Sequence, residues 1–249
     1  MRVSSKDIAR LVKESVQKIL KESEGGHTPS VYVGTYRKYN NGSLFGKWVD
    51  LDEFENKDEF YAYIRKLHKD ERDPEFMFQD WEYIPSCFIG ESWISPLFWD
   101  FLHDDSGYDY DVKCAVAENS SDPKDYFKQI KDIRIFPNCE NMEDVVYAWV
   151  KENGFPSSAS RYFDYEEFGR DCTFDWSEDE EGQSIYEAYG VTEGDDYALG
   201  EEIIAQTYGD VKNMPREEVE RYFDYDAFGR AWSLESTFID YDGGMIELY

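Results

Sequence analysis

With 249 residues, 41% of them apolar, the chain can bury a substantial core as one large domain or several small ones. Its 55 Asp and Glu against 26 Lys and Arg give a formal charge of −29, which repels nucleic acid and anionic membranes and points to basic partners. The 7 Trp, 20 Tyr and 17 Phe exclude a disordered acidic tail, so the acidity belongs to a folded surface.

Residues 4–22 carry Ile8, Leu11, Val12, Val16, Ile19 and Leu20 at helical spacing, predicting an amphipathic helix that ends at Gly25-Gly26. Over residues 1–24, six basic residues (Arg2, Lys6, Arg10, Lys13, Lys18, Lys21) against four acidic ones make this the one positive segment, suited to docking on the acidic body or, second to that, on a partner. VYVGTY and LFGKWV then read as strands, with a hairpin turn at Asn40-Asn41-Gly42. A helix is expected over about 57 to 69, with Asn56 capping its start and Glu59 returning the bond. A strand from Phe76 to Tyr83 would complete a small sheet. Next, SWISPLFWDFL, Val112–Asn119 and Asp122–Lys131 read as short helices, the last opening on Pro123, where a missing N–H costs least.

The second half is organised by a repeat. RYFDYEEFGRD at 161–171 returns as RYFDYDAFGRA at 221–231, identical at eight of eleven positions and 60 residues on, which marks a duplicated unit. Each copy follows a predicted helix, Met142–Asn153 and Leu199–Tyr208, with Gly154 and Gly209 as stops. TFIDYDGGMIELY closes the chain as a second hairpin, turning at Asp242-Gly243-Gly244. The fold class expected is α+β, an elongated chain of small domains: a small N-terminal sheet with a helix, then mainly helical units ending in short strands. The segments are 1–30 (helix and linker), 31–84 (small α/β domain), 85–137 (mainly helical), and 138–190 and 191–249 (the two acidic repeat copies).

No catalytic constellation is legible. The chain has no phosphate-binding glycine loop, His-Glu-x-x-His or Gly-x-Ser-x-Gly; Gly90-Glu91-Ser92-Trp93-Ile94 fails the last pattern at its fifth position. His27, His68 and His103 lie far apart. HDDSGYDYD clusters Asp104, Asp105, Asp109 and Asp111 but lacks the glycine and closing Glu of a calcium loop, so it reads as a solvated turn. The wide spacing of Cys87, Cys114, Cys139 and Cys172 fits reduced, buried thiols. No enzyme, cofactor or metal is therefore expected. The sequence offers no membrane span and no secretory signal, which suggests the cytoplasm.

Charge concentrates towards the C-terminus: residues 151–249 hold 26 Asp and Glu against 7 Lys and Arg, a net −19. Such self-repulsion destabilises a compact fold, so either selection for a function outweighs it or the positions are neutral drift in an acid-rich proteome. At one charge per about 1.7 Å of duplex axis, 29 net charges match roughly 49 Å of DNA, and a basic groove that releases counterions from phosphates could take carboxylates instead. The candidate partner-binding carboxylates are Asp164, Glu166, Glu167, Asp171, Glu178, Asp179, Glu180, Glu181, Glu217, Glu218, Glu220, Asp224 and Asp226. The interleaved aromatics Tyr162, Phe163, Phe168, Tyr222, Phe223 and Phe228 are expected to pack in the core.

VYVGTYRKYNNGSLFGKWVDL, IRIFPNCENMEDVVYAWVKENG and RYFDYDAFGRAWSLESTFIDYDGGMIELY together resemble the ArdA-type antirestriction proteins of conjugative plasmids and transposons. The resemblance implies a homodimeric mimic of B-DNA that occupies the DNA groove of type I restriction-modification enzymes, on their DNA-specificity and methyltransferase subunits, and binds no nucleic acid itself. Two features depart from that family: the N-terminal helix, and the C-terminal unit appearing twice. The duplication could lengthen the mimic or fold as an internal pseudo-dimer. An acidic scaffold for another basic DNA-binding protein of a mobile element is the competing reading.

Overall fold

The computed structural model describes residues 27–176 and 182–249; the helix expected over 4–22 and the cluster Glu178 to Glu181 lie outside them. The fold is α+β, and the chain divides into two compact units. The first comprises Met1–Arg134, Ile239–Asp242 and Leu248–Tyr249, the second Ile135–Phe238 and Gly243–Glu247.

In the first unit, β1 (Ser30–Thr35) is buried along its whole length between β2 (Lys47–Asp50) and β3 (Phe76–Glu82), both antiparallel to it. β1 and β2 are not joined by the tight hairpin expected at Asn40-Asn41-Gly42. Thr35 instead caps a short helix, α1 (Tyr36–Asn40), by accepting from the Lys38 N–H, because a hydroxyl at this position satisfies an otherwise orphaned donor. Gly42, at φ 78°, then turns the chain back. Helix α2 (Lys57–Leu67) starts as predicted, with the Asn56 side chain accepting from the Glu59 N–H at 3.1 Å; the Glu59 carboxylate caps one residue earlier, on the Glu55 N–H.

SWISPLFWDFL divides at its proline. Ile89–Gly90 and Trp93–Ile94 pair as β4 and β5, and only after Pro96 does α3 (Leu97–Leu102) begin, because proline opens a helix but disrupts its interior. Helices α4 (Tyr110–Glu118) and α5 (Pro123–Gln129) follow as expected, the latter capped by Asp122 with Pro123 in its first turn. Phe60, Phe78, Phe88, Phe98, Phe101 and Tyr126 are fully buried, with Phe101 at 4.9 Å from Phe88 and 5.0 Å from Tyr126 between ring centroids. Of the cysteines, Cys87 and Cys139 are buried and Cys114 and Cys172 half-buried; burial pushes the Cys87 thiol up to about 11.

His68 is fully buried beneath β1. Its Nδ1 lies 3.0 Å from Lys38 Nζ and its Nε2 3.3 Å from the Val33 carbonyl. An ammonium can only donate, so Nδ1 accepts and Nε2–H donates, which is the neutral ring. Burial, and then the Lys38 charge, hold its pKa below the ordinary value. The unfolded state therefore binds the extra proton, and the stabilisation present above about pH 6.5 is lost as the pH falls below it. Denaturant midpoints should drop between pH 7.5 and pH 5.5, and the His68→Gln variant should show a shallower pH slope over that window.

The second unit carries the repeats. Helix α6 (Met142–Asn153), capped by Asn141 and ended by Gly154 at φ 80°, has the predicted bounds. The first copy supplies α7 (Tyr165–Asp175), followed by α8 (Ile185–Tyr189) and α9 (Asp196–Thr207). The second supplies α10 (Arg216–Tyr222) and α11 (Tyr225–Glu235). The expected C-terminal hairpin forms as β7 (Thr237–Tyr241) and β8 (Gly244–Leu248), but β8 is the central strand because β6 (Ile133–Pro137), which the sequence reading missed, lies on its other side. Among the described residues, strands follow only the second repeat copy.

Candidate functional site

From Asp164 and Asp224 onward the duplicated sequence folds twice in the same way. Asp164 and Asp224 cap α7 and α11, accepting from the backbone N–H groups of Glu167 at 2.9 Å and Ala227 at 2.8 Å. Their backbones match, with φ,ψ of −82°,86° and −80°,86°. One turn further on, Glu166 pairs with Arg170 at 2.7 Å and Asp226 pairs with Arg230, a spacing at which helical side chains meet.

The copies also bind one another. Phe163 and Phe223 face each other as an antiparallel bridge, flanked by reciprocal bonds: the Asp164 N–H donates to the Tyr222 carbonyl at 2.8 Å, and the Asp224 N–H to the Tyr162 carbonyl at 2.7 Å. This exchange of equivalent bonds defines a local pseudo-two-fold axis. Phe163, Phe168, Tyr222 and Phe223 are buried on the two sides of it, with Tyr162 and Phe228 packed against them, so the six aromatics serve the core as expected.

Helix packing crosses between the copies. α7 of the first copy lies on α9, the helix preceding the second, and a Cβ on Gly169 would come within 2.8 Å of the Gly200 backbone nitrogen. α11 of the second copy lies on α6, the helix preceding the first, where Gly229 faces the Met142 Cβ. The glycine of each FGR is thus the point of helix-to-helix contact.

Two clefts collect most of the candidate carboxylates. One, of about 470 Å³, runs across the pseudo-axis and takes Asp164, Glu166, Glu167 and Asp224, together with Arg161 and Arg221. The other, of about 590 Å³, takes Asp171, Glu217 and Glu218; Glu220 and Asp226 line neither. Asp164, Glu166, Glu167, Glu217, Asp224 and Asp226 are exposed, while Asp171, Glu218 and Glu220 are half-buried. Arginine partly offsets this charge through the Glu166 and Asp226 pairs, Arg216 on Glu220 at 2.6 Å, and Arg221 on Asp171 at 2.9 Å. Glu218 accepts from the Tyr208 hydroxyl at 3.1 Å. Glu167 and Glu217 make no side-chain pairing among the described residues.

A family model described as Antirestriction protein (ArdA) matches residues 31–189, well over half the chain. The chain belongs to the ArdA antirestriction family. No curated protein matches it. The ArdA match takes in the first repeat copy and stops before α9, so the second copy, including the closing segment that carries the most specific part of the resemblance in the sequence, lies beyond it. Among the described residues, no helix is long and apolar enough to cross a membrane and no group of three His, Cys, Asp or Glu is placed to hold a metal ion.

This ArdA chain departs from two-fold symmetry around Asp171. Asp171 of the first copy reaches the second, accepting from the Tyr222 hydroxyl at 2.9 Å and pairing with Arg221; burial and this bond push Tyr222 up to about 12. The equivalent position is Ala231, and the related cleft, around Arg161, Tyr162 and Trp232, is smaller at about 290 Å³, since Trp232 stands where the first copy has Cys172. Asp171 was chosen from the sequence as a partner-binding charge, but its visible contacts clamp the two copies together. Asp196 was missed as a site residue: it accepts from the Tyr186 hydroxyl and lies 3.4 Å from Arg170, a tie across the copies that only the repeat hinted at. Asp171→Ala should cost the second unit about 1 kcal/mol, since one partner is exposed and the other is a buried hydroxyl; urea denaturation would measure it.

Proposed function

We propose that the chain inhibits type I restriction-modification enzymes by occupying the DNA groove of their specificity and methyltransferase subunits, setting carboxylates where phosphates would lie. It acts in the cytoplasm, by binding rather than by chemistry, and does not itself bind nucleic acid. The family membership supports inhibition of restriction. The observation that carries the mimicry is the pair of capped acidic helices, α7 and α11, which repeat Asp164 and Asp224, and Glu166 and Asp226, about one axis.

The arginine pairs do not remove this argument. Exposed ion pairs are weak, and the net −19 of residues 151–249 persists after every arginine there is matched. A groove lined with Lys and Arg gains affinity by releasing the counterions that such a surface gathers. The homodimer implied by the resemblance would bring two such units to one enzyme; the internal pairing of the copies offers another route, taken up below. Titrating the purified chain into a complex of a type I enzyme with labelled duplex should displace the duplex competitively, less effectively as salt rises. If stoichiometric protein leaves the duplex bound at low salt, the reading is wrong.

A further inference from the structure

We infer that the duplicated unit is a two-fold interface closed within one chain, so that a single chain serves as a dimer equivalent and fits a partner presenting two basic surfaces related by a two-fold axis. A contact between equivalent surfaces is complete once two copies meet. Here both copies belong to one chain, and each uses its bridging backbone groups on the other: Asp164 to Tyr222, Asp224 to Tyr162. Their aromatic edges, Phe163 and Phe223, are buried in the process. The backbone groups that form this bridge are therefore already paired within the chain and are not open to a second one.

The broken symmetry at Asp171 and Ala231 supports the same conclusion. In an interface between identical chains every copy must play both roles, so a change on one side appears on the other. Here one side keeps the Asp171 clamp on Arg221 and Tyr222 and the other has lost its acid, a division of labour open to halves that never exchange. Tethering favours the closed arrangement too, because an intrachain partner is held at an effective concentration of millimolar order. The exposed caps and their neighbours, Asp164 and Glu166 on one side and Asp224 and Asp226 on the other, then face outwards as matched pairs.

The partner half of this inference rests on the proposed function; the closure of the interface does not. Light scattering on the full chain should return the mass of one chain, 29.4 kDa, from low to high micromolar concentration. The Phe163→Cys, Phe223→Cys double variant provides an independent reading, because residues facing each other between the flanking bonds have Cα atoms about 4.5 Å apart, within disulfide reach. Oxidation should close the bridge inside the chain and give a single-chain band on a non-reducing gel. Titration against a type I enzyme should saturate at one chain for each two-fold basic surface. A concentration-dependent dimer, a covalent dimer through these cysteines, or saturation at two chains would overturn the inference and leave the inhibitory function intact. Failure to displace DNA at all would instead overturn the function, while light scattering still decides the interface.

Discussion

The combined substitution Asp164→Asn, Glu166→Gln, Glu167→Gln, Asp224→Asn and Asp226→Asn is expected to cripple inhibition at low salt while leaving the fold in place. Asparagine caps a helix as well as aspartate does, so the bonds to the N–H groups of Glu167 and Ala227 can persist, and circular dichroism should be unchanged. Each charge contributes about 0.9 to the slope of log affinity against log salt, so removing five should flatten it by about 4.5. Between about 50 and about 200 mM salt that amounts to a ~500-fold change in the gap between the native and substituted chains. Freed of Glu166 and Asp226, Arg170 and Arg230 add repulsion against a basic groove. Asp171 is left out because its substitution would loosen the paired copies. If the salt slopes of the two proteins coincide, these carboxylates do not stand in for phosphates.

Placing a methyl group at Gly169 is expected to be one of the most damaging small changes to the second unit. The new Cβ would sit inside van der Waals contact of the Asp196 carbonyl oxygen, and 2.8 Å from the Gly200 nitrogen. Both are backbone atoms and cannot rotate aside, so α7 and α9 must move apart. Overpacking of this kind costs about 1 to 3 kcal/mol where side chains can adjust, and Gly169→Ala should lie at or above the top of that range. Gly229 is its equivalent in the second copy, yet its nearest neighbour is the Met142 Cβ at 3.0 Å, so Gly229→Ala should cost less. Urea unfolding of the two single variants tests the contrast: equal losses would show that the crossing of α7 and α9 has room for the added methyl.

Local signals carried much of the fold. The bounds of α6 follow from Asn141 at one end and Gly154 at the other, and those of α5 from Asp122 and Pro123. Helix α9 was expected from Leu199, the start of its buried residues, but begins at Asp196 because Asp195 caps it. β6 was overlooked although Ile133 and Ile135 alternate with an exposed Arg134, since five residues ending in proline give a weak period. The duplication itself was plain in the text. How the copies meet was not, because the bonds between Asp164 and Tyr222 and between Asp224 and Tyr162 join residues about 60 positions apart, and no local pattern encodes such a choice. The candidate carboxylates were legible as charge; which of them are held by arginine, and that Asp171 acts as a clamp, required the tertiary structure.

The crossing of α6 with α11, and of α7 with α9, also sets the order in which this unit can be made. When the first copy leaves the ribosome its helices have nothing to lie against, because their mates are still being translated. Arg216 reaches back 66 residues to the Val150 carbonyl, and distant pairings of this kind slow folding and prolong the exposure of apolar surface. The nascent chain would therefore stay incompetent until its second copy had emerged, and then complete both copies in one cooperative step.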